Sequence, residues 1–426
     1  MKSVWFYIYN IIALPLLKIG LYFLSLFDKK IRTGIKGRMR LFENLILNLT
    51  DLDRSKKLIW IHSSSLGEFE QAKPIIEQIK RNIDINILVT FFSPSGYNNS
   101  IKYPHADIIS YLPFDSVRNA KRFVGLVKPS AVLFMRYDFW PNFIWVLSQY
   151  KVAIFIVDAT MSDKSKRKLP IAKQFHSDLF NNFLRILTVS EKDKEGFQDF
   201  NIPEEKLAVV GDTRFDRVYQ KSINAKSKSL FKSNLFEGKK VFVLGSTWEA
   251  DEEIILPAIL KLIKNDEDVV IIIVPHEPSM ERLEELENTL KGNSTIRFSY
   301  MNNYKDEKLI LVDSIGILLT LYYYADVAYV GGSFKQGIHN VLEPAVYGIP
   351  VIFGPKNKNS QEAQKMLKLG SGIEITNKTN AYKVFRELFS NEEKRKSLGN
   401  ISNNYVKNNI GATQKIIYEF SIIGKR

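Results

Sequence analysis

Cysteine is absent from the 426-residue chain. That removes disulfide scaffolds, thiolate metal sites and cysteine nucleophiles together. Histidine is scarce, at 5 residues, so a histidine-rich metal site is not expected. No Walker sequence and no G-x-G-x-x-G with a following acidic residue is present, which speaks against ATPase and dehydrogenase chemistry. No short repeat and no low-complexity tract is found either. Acidic residues are in deficit: 46 Asp and Glu against 60 Lys and Arg leave a net charge of +14. Such a charge points to a polyanionic partner: nucleic acid, an anionic membrane or a phosphorylated substrate. The basic residues are scattered and do not form a stripe interleaved with aromatics, so nucleic acid is not expected. Hydrophobic residues make up 45% and charged residues 25%, which excludes wholesale disorder.

Ser3–Phe27 carries a single charged side chain, Lys18, among many Leu, Ile, Phe, Tyr and Trp residues. About 20 apolar residues suffice to cross a bilayer. No small-residue cleavage site of a secretory signal is evident. A basic collar follows: Lys29, Lys30, Arg32, Lys36, Arg38 and Arg40. The positive-inside rule places that collar and the chain beyond it in the cytoplasm, beside anionic headgroups. Pro15 and Lys18 also allow an interfacial helix with Lys18 snorkelling, or the buried first helix of a soluble protein. Membrane attachment is the expectation, with spanning and interfacial insertion both open.

From residue 58, short apolar runs alternate with amphipathic stretches. Leu58–His62, Asn86–Phe92, Ala131–Met135, Val152–Val157 and Ile186–Val189 read as buried strands. Phe69–Arg81 and Ser116–Val127 carry helical periodicity between them. A polar stretch, Lys221–Ser233, breaks the series, which restarts with Val241–Gly245, Val269–Val274, Leu309–Val312, Val327–Gly331 and Val351–Phe353. Strands alternating with helices predict parallel sheets covered on both faces. Two such series predict an α/β protein of two Rossmann-like domains facing across a cleft, with ligands beyond the carboxyl ends of the strands. The expected boundaries are an anchor at 1–27, an amino-terminal domain at 28–218, a linker at 219–239, a carboxy-terminal domain at 240–391 and a helical tail at 392–426 able to pack on either domain.

Six blocks can carry chemistry. In Ile61-His62-Ser63-Ser64-Ser65-Leu66-Gly67-Glu68, small residues such as Ser65 and Gly67 admit a ligand to the start of a helix. Glu68 is either a first-turn capping carboxylate or a general base. Phe91-Phe92-Ser93-Pro94-Ser95-Gly96-Tyr97 is a turn after a strand, again with hydroxyls and a Gly, and reads chiefly as ordinary βα-loop chemistry. In Arg136-Tyr137-Asp138-Phe139-Trp140-Pro141-Asn142, Asp138 can position a polar acceptor, and Trp140 either stacks on a sugar or fills the core. Gly245-Ser246-Thr247-Trp248-Glu249 opens a helix, where Ser246 and Thr247 cap it or hold a phosphate. Val274-Pro275-His276-Glu277-Pro278 ends a strand as a ligand lip or as plain structure. The richest block runs Val330-Gly331-Gly332-Ser333-Phe334, Gly337-Ile338-His339-Asn340-Val341-Leu342-Glu343-Pro344-Ala345, then Gly348 to Pro355. Its Gly pair permits close backbone approach, a helix from His339 would aim N–H groups at a phosphate, and Glu343 can accept both ribose hydroxyls.

These blocks, in this order, resemble the 3-deoxy-D-manno-octulosonic acid (Kdo) transferase family of lipopolysaccharide assembly. The resemblance rests on Ser65-Leu66-Gly67-Glu68, Trp140-Pro141-Asn142 and His339-Asn340 through Pro344, and runs from the amino-terminal apolar segment to about residue 365. It implies the two-domain GT-B fold. It also implies inverting, metal-independent transfer of Kdo from CMP-Kdo to a lipid A precursor at the cytoplasmic face of the inner membrane, with no cofactor. By the same resemblance Glu68 is the general base. The nucleotide pocket falls on Pro275, His276, Ile315, Gly316, Ile317, Asn340, Val341, Leu342 and Glu343. The chain departs from the family pattern in places. The usual Glu-Thr-Glu-Leu is Arg136-Tyr137-Asp138-Phe139, the Arg of Pro-Arg-His-Pro is missing at Pro275-His276, and the Glu of Met-Gly-Glu is Ile317.

The expected mechanism is direct displacement. Glu68 takes the proton of a 6′-hydroxyl as it attacks the anomeric carbon, while helix-start N–H groups near Ser246–Thr247 and His339–Asn340 stabilise departing CMP. Arg214 is a candidate for a phosphate or a sugar carboxylate. Two alternatives stand beside this: a UDP-sugar-dependent GT-B enzyme such as a lipid A disaccharide synthase, and a non-catalytic nucleotide or glycolipid binder.

Overall fold

The computed structural model describes residues 3–266 and 268–423. Met1, Lys2 and residues 424–426, which the expected anchor and tail include, lie outside the described residues. The chain forms two compact units, one of residues 1–217 with 411–426 and one of residues 218–410.

In the first unit the strands are β1 Leu58–Ser63, β2 Asn86–Phe91, β3 Ile108–Tyr111, β4 Ala131–Met135, β5 Ala153–Ala159, β6 Arg185–Thr188 and β7 Leu207–Val209. They form one sheet in the order β3-β2-β1-β4-β5-β6-β7, every pairing parallel. The second unit holds β8 Lys240–Thr247, β9 Val269–Pro275, β10 Thr295–Arg297, β11 Leu309–Leu311, β12 Val327–Val330, β13 Val351–Phe353 and β14 Gly372–Glu374. Its order is β10-β11-β9-β8-β12-β13-β14, again parallel throughout. The expected two-unit α/β architecture is therefore present.

Burial explains why the central strands read as unbroken apolar runs. Along β1, Leu58 and Trp60 face helices Val117–Val127 and Pro141–Gln149, while Ile59 and Ile61 face helix Leu66–Asn82. Both faces are dry, so no polar alternation survives. Fully burying one such side chain stabilises by about 1.5–3 kcal/mol. In the second unit Phe242 and Leu244 pack on helices Glu249–Asn265 and Lys378–Ser390. Val241 and Val243 pack on Phe231, Leu321 and Tyr322.

Two boundaries differ from expectation. Residues 219–239 are not a free linker: helix Thr213–Lys226 runs into them, and Leu230, Phe231, Leu235 and Phe236 join the second unit's core. The tail divides. Helix Glu392–Lys407 belongs to the second unit and helix Ala412–Ile423 to the first. Asp216 causes the return by accepting the N–H groups of Gly411 and Thr413 at 2.5 and 2.6 Å and the Thr413 hydroxyl at 2.6 Å. Ile416 then enters the apolar layer against Leu66–Asn82.

Val4–Ser25 is one continuous helix with mean hydropathy 1.6, long and apolar enough to cross a membrane. A π turn over Tyr9–Ala13 precedes Pro15 and widens the helix where the proline ring would otherwise strike a carbonyl. The first half is docked on the first unit. Phe6 packs edge-on against Trp145 at 5.2 Å, and Trp5 against Phe175 at 5.8 Å. The Tyr9 hydroxyl donates to Asp115 Oδ2 at 2.8 Å, and Asn10 Nδ2 donates to Asn142 Oδ1 at 2.9 Å. Beyond Leu14, Leu16, Leu17, Ile19, Tyr22, Phe23, Leu24, Leu26 and Phe27 are exposed.

Candidate active site

Chemistry-bearing residues gather beyond the carboxyl end of each sheet's central strands. In the first unit, β1 ends at Ser63 and Ser65 caps helix Leu66–Asn82, its hydroxyl accepting the Glu68 N–H at 3.4 Å. The Glu68 carboxylate turns back, and Oε2 accepts the Ser64 N–H at 2.6 Å. The capping role is met here. Oε2 serves as a cap, while Oε1 has no hydrogen-bond partner among the described residues. Burial raises the Glu68 pKa. The Ser64 N–H opposes this, the Asp138 charge adds to it, and His62 and Arg136 pull it back. The net direction is upward, toward the range a general base needs.

A hydrogen-bonded chain sets Asp138. Trp60 Nε1 donates to Thr90 Oγ1 at 2.7 Å, Thr90 Oγ1 meets His62 Nδ1 at 2.8 Å, and His62 Nε2 lies 3.3 Å from Asp138 Oδ2. The chain is satisfied throughout when the Thr90 hydroxyl donates to Nδ1 and Nε2–H donates to Asp138. Burial pushes the Asp138 carboxyl up, but His62, the Ser64 hydroxyl and Arg38 together bring it below its ordinary value. Gly67 keeps this face open: a Cβ there would meet only Ser65 Oγ, at 3.9 Å. Neither a left-handed backbone nor close packing requires a glycine there.

Other expected residues are committed elsewhere. Arg214 lays its guanidinium on buried Asp212, with Nε and Nη2 at 2.9 and 2.6 Å from Oδ2. A buried carboxylate needs such a partner, so Arg214 is not a bare anion receptor. Asp158, fully buried beside Asp212, is pushed up by burial and by that neighbouring charge, and binds the Thr213 N–H and hydroxyl. Trp140 stacks on Phe92 at 5.0 Å and packs on the core, so it fills structure. Asn142 donates to Asp115 and accepts from Asn10, which makes Trp140-Pro141-Asn142 the seat of the amino-terminal helix. Ser93 caps helix Pro94–Ser100 as ordinary loop chemistry.

In the second unit the glycine-rich block is tight for internal reasons. A Cβ on Gly331 would lie 2.1 Å from the Ser246 carbonyl, and one on Gly245 would lie 1.8 Å from the Tyr322 hydroxyl. Gly332 and Gly337 have φ of 89° and 112°, and the Gly337 N–H closes on the Gly332 carbonyl at 2.7 Å. These glycines bring backbone to backbone. Asp251, which the sequence reading missed, ties the loops together. It accepts from the Gly332 N–H at 2.7 Å, the Tyr329 hydroxyl at 2.7 Å and the Trp248 N–H at 3.0 Å. Its spacing three residues after Trp248 is the available sequence signal, since a first-turn acid caps its own helix.

The start of helix Glu249–Asn265 does not await a phosphate. Glu249, Asp251 and Glu252 fill its first turn. The Thr247 hydroxyl donates to Glu252 at 2.7 Å, and Arg282 pairs with Glu252. The helix expected from His339 is only Leu342–Ala345, with the Leu342 N–H bound by Asn340 Oδ1 at 3.1 Å. Val341 and Leu342 side chains are buried, so only their backbone can meet a ligand. Asn340 Nδ2 donates to Glu343 Oε1 at 3.2 Å. Ile315 is 86% exposed on a loop where Gly316 has φ 85°, and Ile317 caps helix Leu318–Tyr322.

Three rings form the rest of this face. His276, after Pro275, stacks on Trp248 at 4.6 Å and on His339 at 4.5 Å. Trp248 Nε1 donates to His339 Nε2 at 3.0 Å. Burial, and then the charge of His276, lower the His339 pKa to about 4. His339 is therefore neutral near pH 7. With Nε2 accepting, its proton sits on Nδ1, which has no partner among the described residues.

The model of the 3-deoxy-D-manno-octulosonic acid transferase (kdotransferase) family matches residues 35–217. A 3-deoxy-D-manno-octulosonic acid transferase of Aquifex aeolicus is 32% identical over 342 residues, covering 80% of this chain and 88% of that protein. A bifunctional glycosyltransferase/methyltransferase of Fusobacterium nucleatum is 31% identical over 358 residues, 81% of this chain and 55% of its own length. The chain thus spans about half of that relative. Among solved structures, the UDP-GlcNAc 2-epimerase of Neisseria meningitidis bound to UDP-GlcNAc superposes with a TM-score of 0.60 at 16% identity, over 86% of this chain and 99% of that one. That likeness is one of fold.

Proposed function

The chain belongs to the 3-deoxy-D-manno-octulosonic acid (Kdo) transferase family of glycosyltransferases, and from that premise we propose that it moves Kdo from CMP-Kdo to a lipid A precursor at an anionic membrane surface. The observation that carries the reading is Glu68: one oxygen pinned by a backbone N–H, the other unbonded, its proton affinity raised by burial.

The step balances without a further reactant. The acceptor hydroxyl gives its proton to Glu68 Oε1 as its oxygen bonds to the anomeric carbon of Kdo. The bond from that carbon to the phosphate oxygen breaks, CMP keeps the electron pair, and the configuration inverts. Asp138, held by His62, orients the hydroxyl. On the second unit, His339 Nδ1–H and the backbone around Asn340 and Val341 offer neutral donors to the nucleotide. Glu343, whose Oε1 accepts from Asn340, stands on the ribose side of this proposed pocket.

The amino-terminal helix supports interfacial attachment over a full span. Tyr9 and Asn10 hold its first turns on the folded unit. The free part, residues 15–27, reaches about 20 Å at 1.5 Å per residue, short of the roughly 30 Å hydrocarbon core. Its exposed apolar residues, with Met39 and Leu47, face lipid beside Lys18, Lys29, Lys30 and Arg32.

Incubation with CMP-Kdo and lipid A precursor tests the function, with the product read by mass. A gain of Kdo mass, competed by CMP and not by UDP, is expected; competition by UDP alone would move the chain to another donor. Because the chain lacks cysteine, Ser3→Cys gives a single site for a membrane-impermeant reagent. Labelling from the side that carries the body is expected, and labelling from the opposite side would show a span.

A further inference from the structure

Most arginines of the first unit that lie near its carboxyl-end loops are satisfied. Arg38 donates to the Gly34, Leu112 and Phe92 carbonyls. Arg214 lies on Asp212, and Arg217 on Glu70 and Glu77. Arg136 and Arg167 differ. Their guanidinium groups make no hydrogen bond and no ion pair among the described residues, although both residues are half-buried. The two converge on one ring: Arg136 Cζ lies 5.8 Å and Arg167 Cζ 5.1 Å from the centroid of Tyr137, which is 46% exposed.

Arg136 is held there deliberately. Its backbone sits at φ 61°, a conformation that bulky residues rarely adopt, and its N–H is fixed on the Val157 carbonyl at 2.7 Å. Its Nε is buried without a partner. Its charge acts on the candidate base Glu68 and on buried Asp158. Position 136 is also where the chain carries Arg in place of the family's usual Glu. A half-buried guanidinium with no hydrogen-bonded acceptor is costly, and two of them against one exposed ring leave donors for an anion.

We propose that Arg136 and Arg167, gathered over Tyr137, form a subsite for a phosphomonoester carried by the acceptor. The proposal rests on the transferase reading above and names the acceptor group that its first unit grips. Two guanidinium forks suit a dianionic phosphate better than a single carboxylate. The anion beside Arg136 lies next to the hydroxyl that Glu68 deprotonates, so it belongs to the acceptor and not to the nucleotide. The Tyr137 hydroxyl, unbonded among the described residues, supplies a further donor.

The test uses the full-length protein in detergent and a pair of disaccharide glycolipids, with and without the phosphate on the acceptor sugar. Binding is measured by calorimetry in the absence of donor. The parent protein is expected to prefer the phosphorylated lipid about tenfold, or ~1.4 kcal/mol. Arg136→Gln and Arg167→Gln are each expected to lose most of that preference while binding the phosphate-free lipid as before. Arg167→Lys should recover part of it, and the exposed neighbour Lys166→Gln should change nothing. Arg167 acts as the independent arm, because it has no contact with the Glu68 cluster. Equal binding of the two lipids by the parent, or an unchanged preference in both Gln variants, overturns the proposal. Loss of CMP-Kdo affinity with lipid affinity intact also overturns it, by assigning the site to the donor's carboxylate. If the lipid preference persists but no Kdo is transferred to either lipid, the subsite stands and the transferase reading fails.

Discussion

The turns that follow β1 and β8 occupy equivalent places in their sheets, yet they end in opposite electrostatic states. After β1, a single first-turn acid, Glu68, keeps one oxygen unbonded and an elevated proton affinity. After β8, three first-turn acids crowd the helix start, and all three are tied up: Asp251 binds two loops together, and Glu249 and Glu252 pair with Arg282. Beside them lie stacked rings, backbone N–H groups and an uncharged His339. On the proposed function, the same βα scaffold would serve as a proton acceptor in one unit and as a recognition surface in the other. Helix position alone does not decide which. The side chains that neutralise or desolvate the acids do.

The sharpest way to break this contrast is Glu68→Gln. Transfer should fall by about 10²–10⁴-fold, the usual contribution of a general base, while CMP affinity measured on the same protein stays unchanged. A variant that transfers at the parent rate would remove Glu68 from the chemistry.

Glycines give the next contrast. Gly331→Ala drives a Cβ into the Ser246 carbonyl, and a loss of about 1–3 kcal/mol in denaturant unfolding is expected, as for other overpacked sites. Gly67→Ala has room, so stability should hold or rise slightly in a helix. Its signature should be a raised acceptor KM. Equal stability loss in both would erase the distinction between a packing glycine and an access glycine.

Opposite pH slopes are a third. Burial raises Asp115 from 3.8 to about 6, against the hydrogen bonds from Tyr9 and Asn142. The native first unit therefore binds more protons than the unfolded chain between those values. Its stability should fall, on the order of 2 kcal/mol, as pH rises through that window. His339 is lowered from 6.5 to about 4, so the unfolded chain binds more protons there and the second unit should gain stability as pH rises from about 4 to 6.5. Hydrogen exchange read separately in each unit checks the signs, and Asp115→Asn should flatten the first.

The smallest effect concerns the amino-terminal helix. Tyr9→Phe removes one donor to Asp115, and local opening of residues 4–14 in hydrogen exchange should become about 1 kcal/mol easier. Binding to anionic vesicles should persist, since the exposed apolar residues beyond Leu14 are untouched.

Legibility followed burial. All ten strands expected from apolar runs are present. The four that escaped, β3, β7, β10 and β14, are the outer strands of the two sheets. They are three or four residues long and, in the second sheet, half-exposed. An edge strand is covered less and paired on one side, so little hydrophobic signal accumulates. Site residues followed a different rule. Glu68 and Asp138 stood out because carboxylates after apolar strands have few reasons to be there. Asp251 shows in the sequence only as a first-turn cap three residues after Trp248, because its other two partners, Gly332 and Tyr329, lie far along the chain. Arg214 misled because spacing alone does not show that the neighbouring Asp212 is buried and draws the guanidinium onto itself.

The amino-acid sequence alone determined the alternation of buried strands and helices, the division into two α/β units, the exposed apolar amino terminus and the placing of a carboxylate after β1. These follow from patterns within a few residues of one another, where hydrophobic period and capping chemistry act. Only the tertiary structure decided which charges are cancelled. It buried Asp212 and so closed Arg214 on it, spent the acids after β8 on internal bonds, seated Tyr9 on Asp115, and left Arg136 and Arg167 over one ring without a hydrogen-bonded acceptor among the described residues. Such outcomes depend on burial and on which groups arrive within bonding distance, many of them far apart in the chain, and no local pattern encodes that.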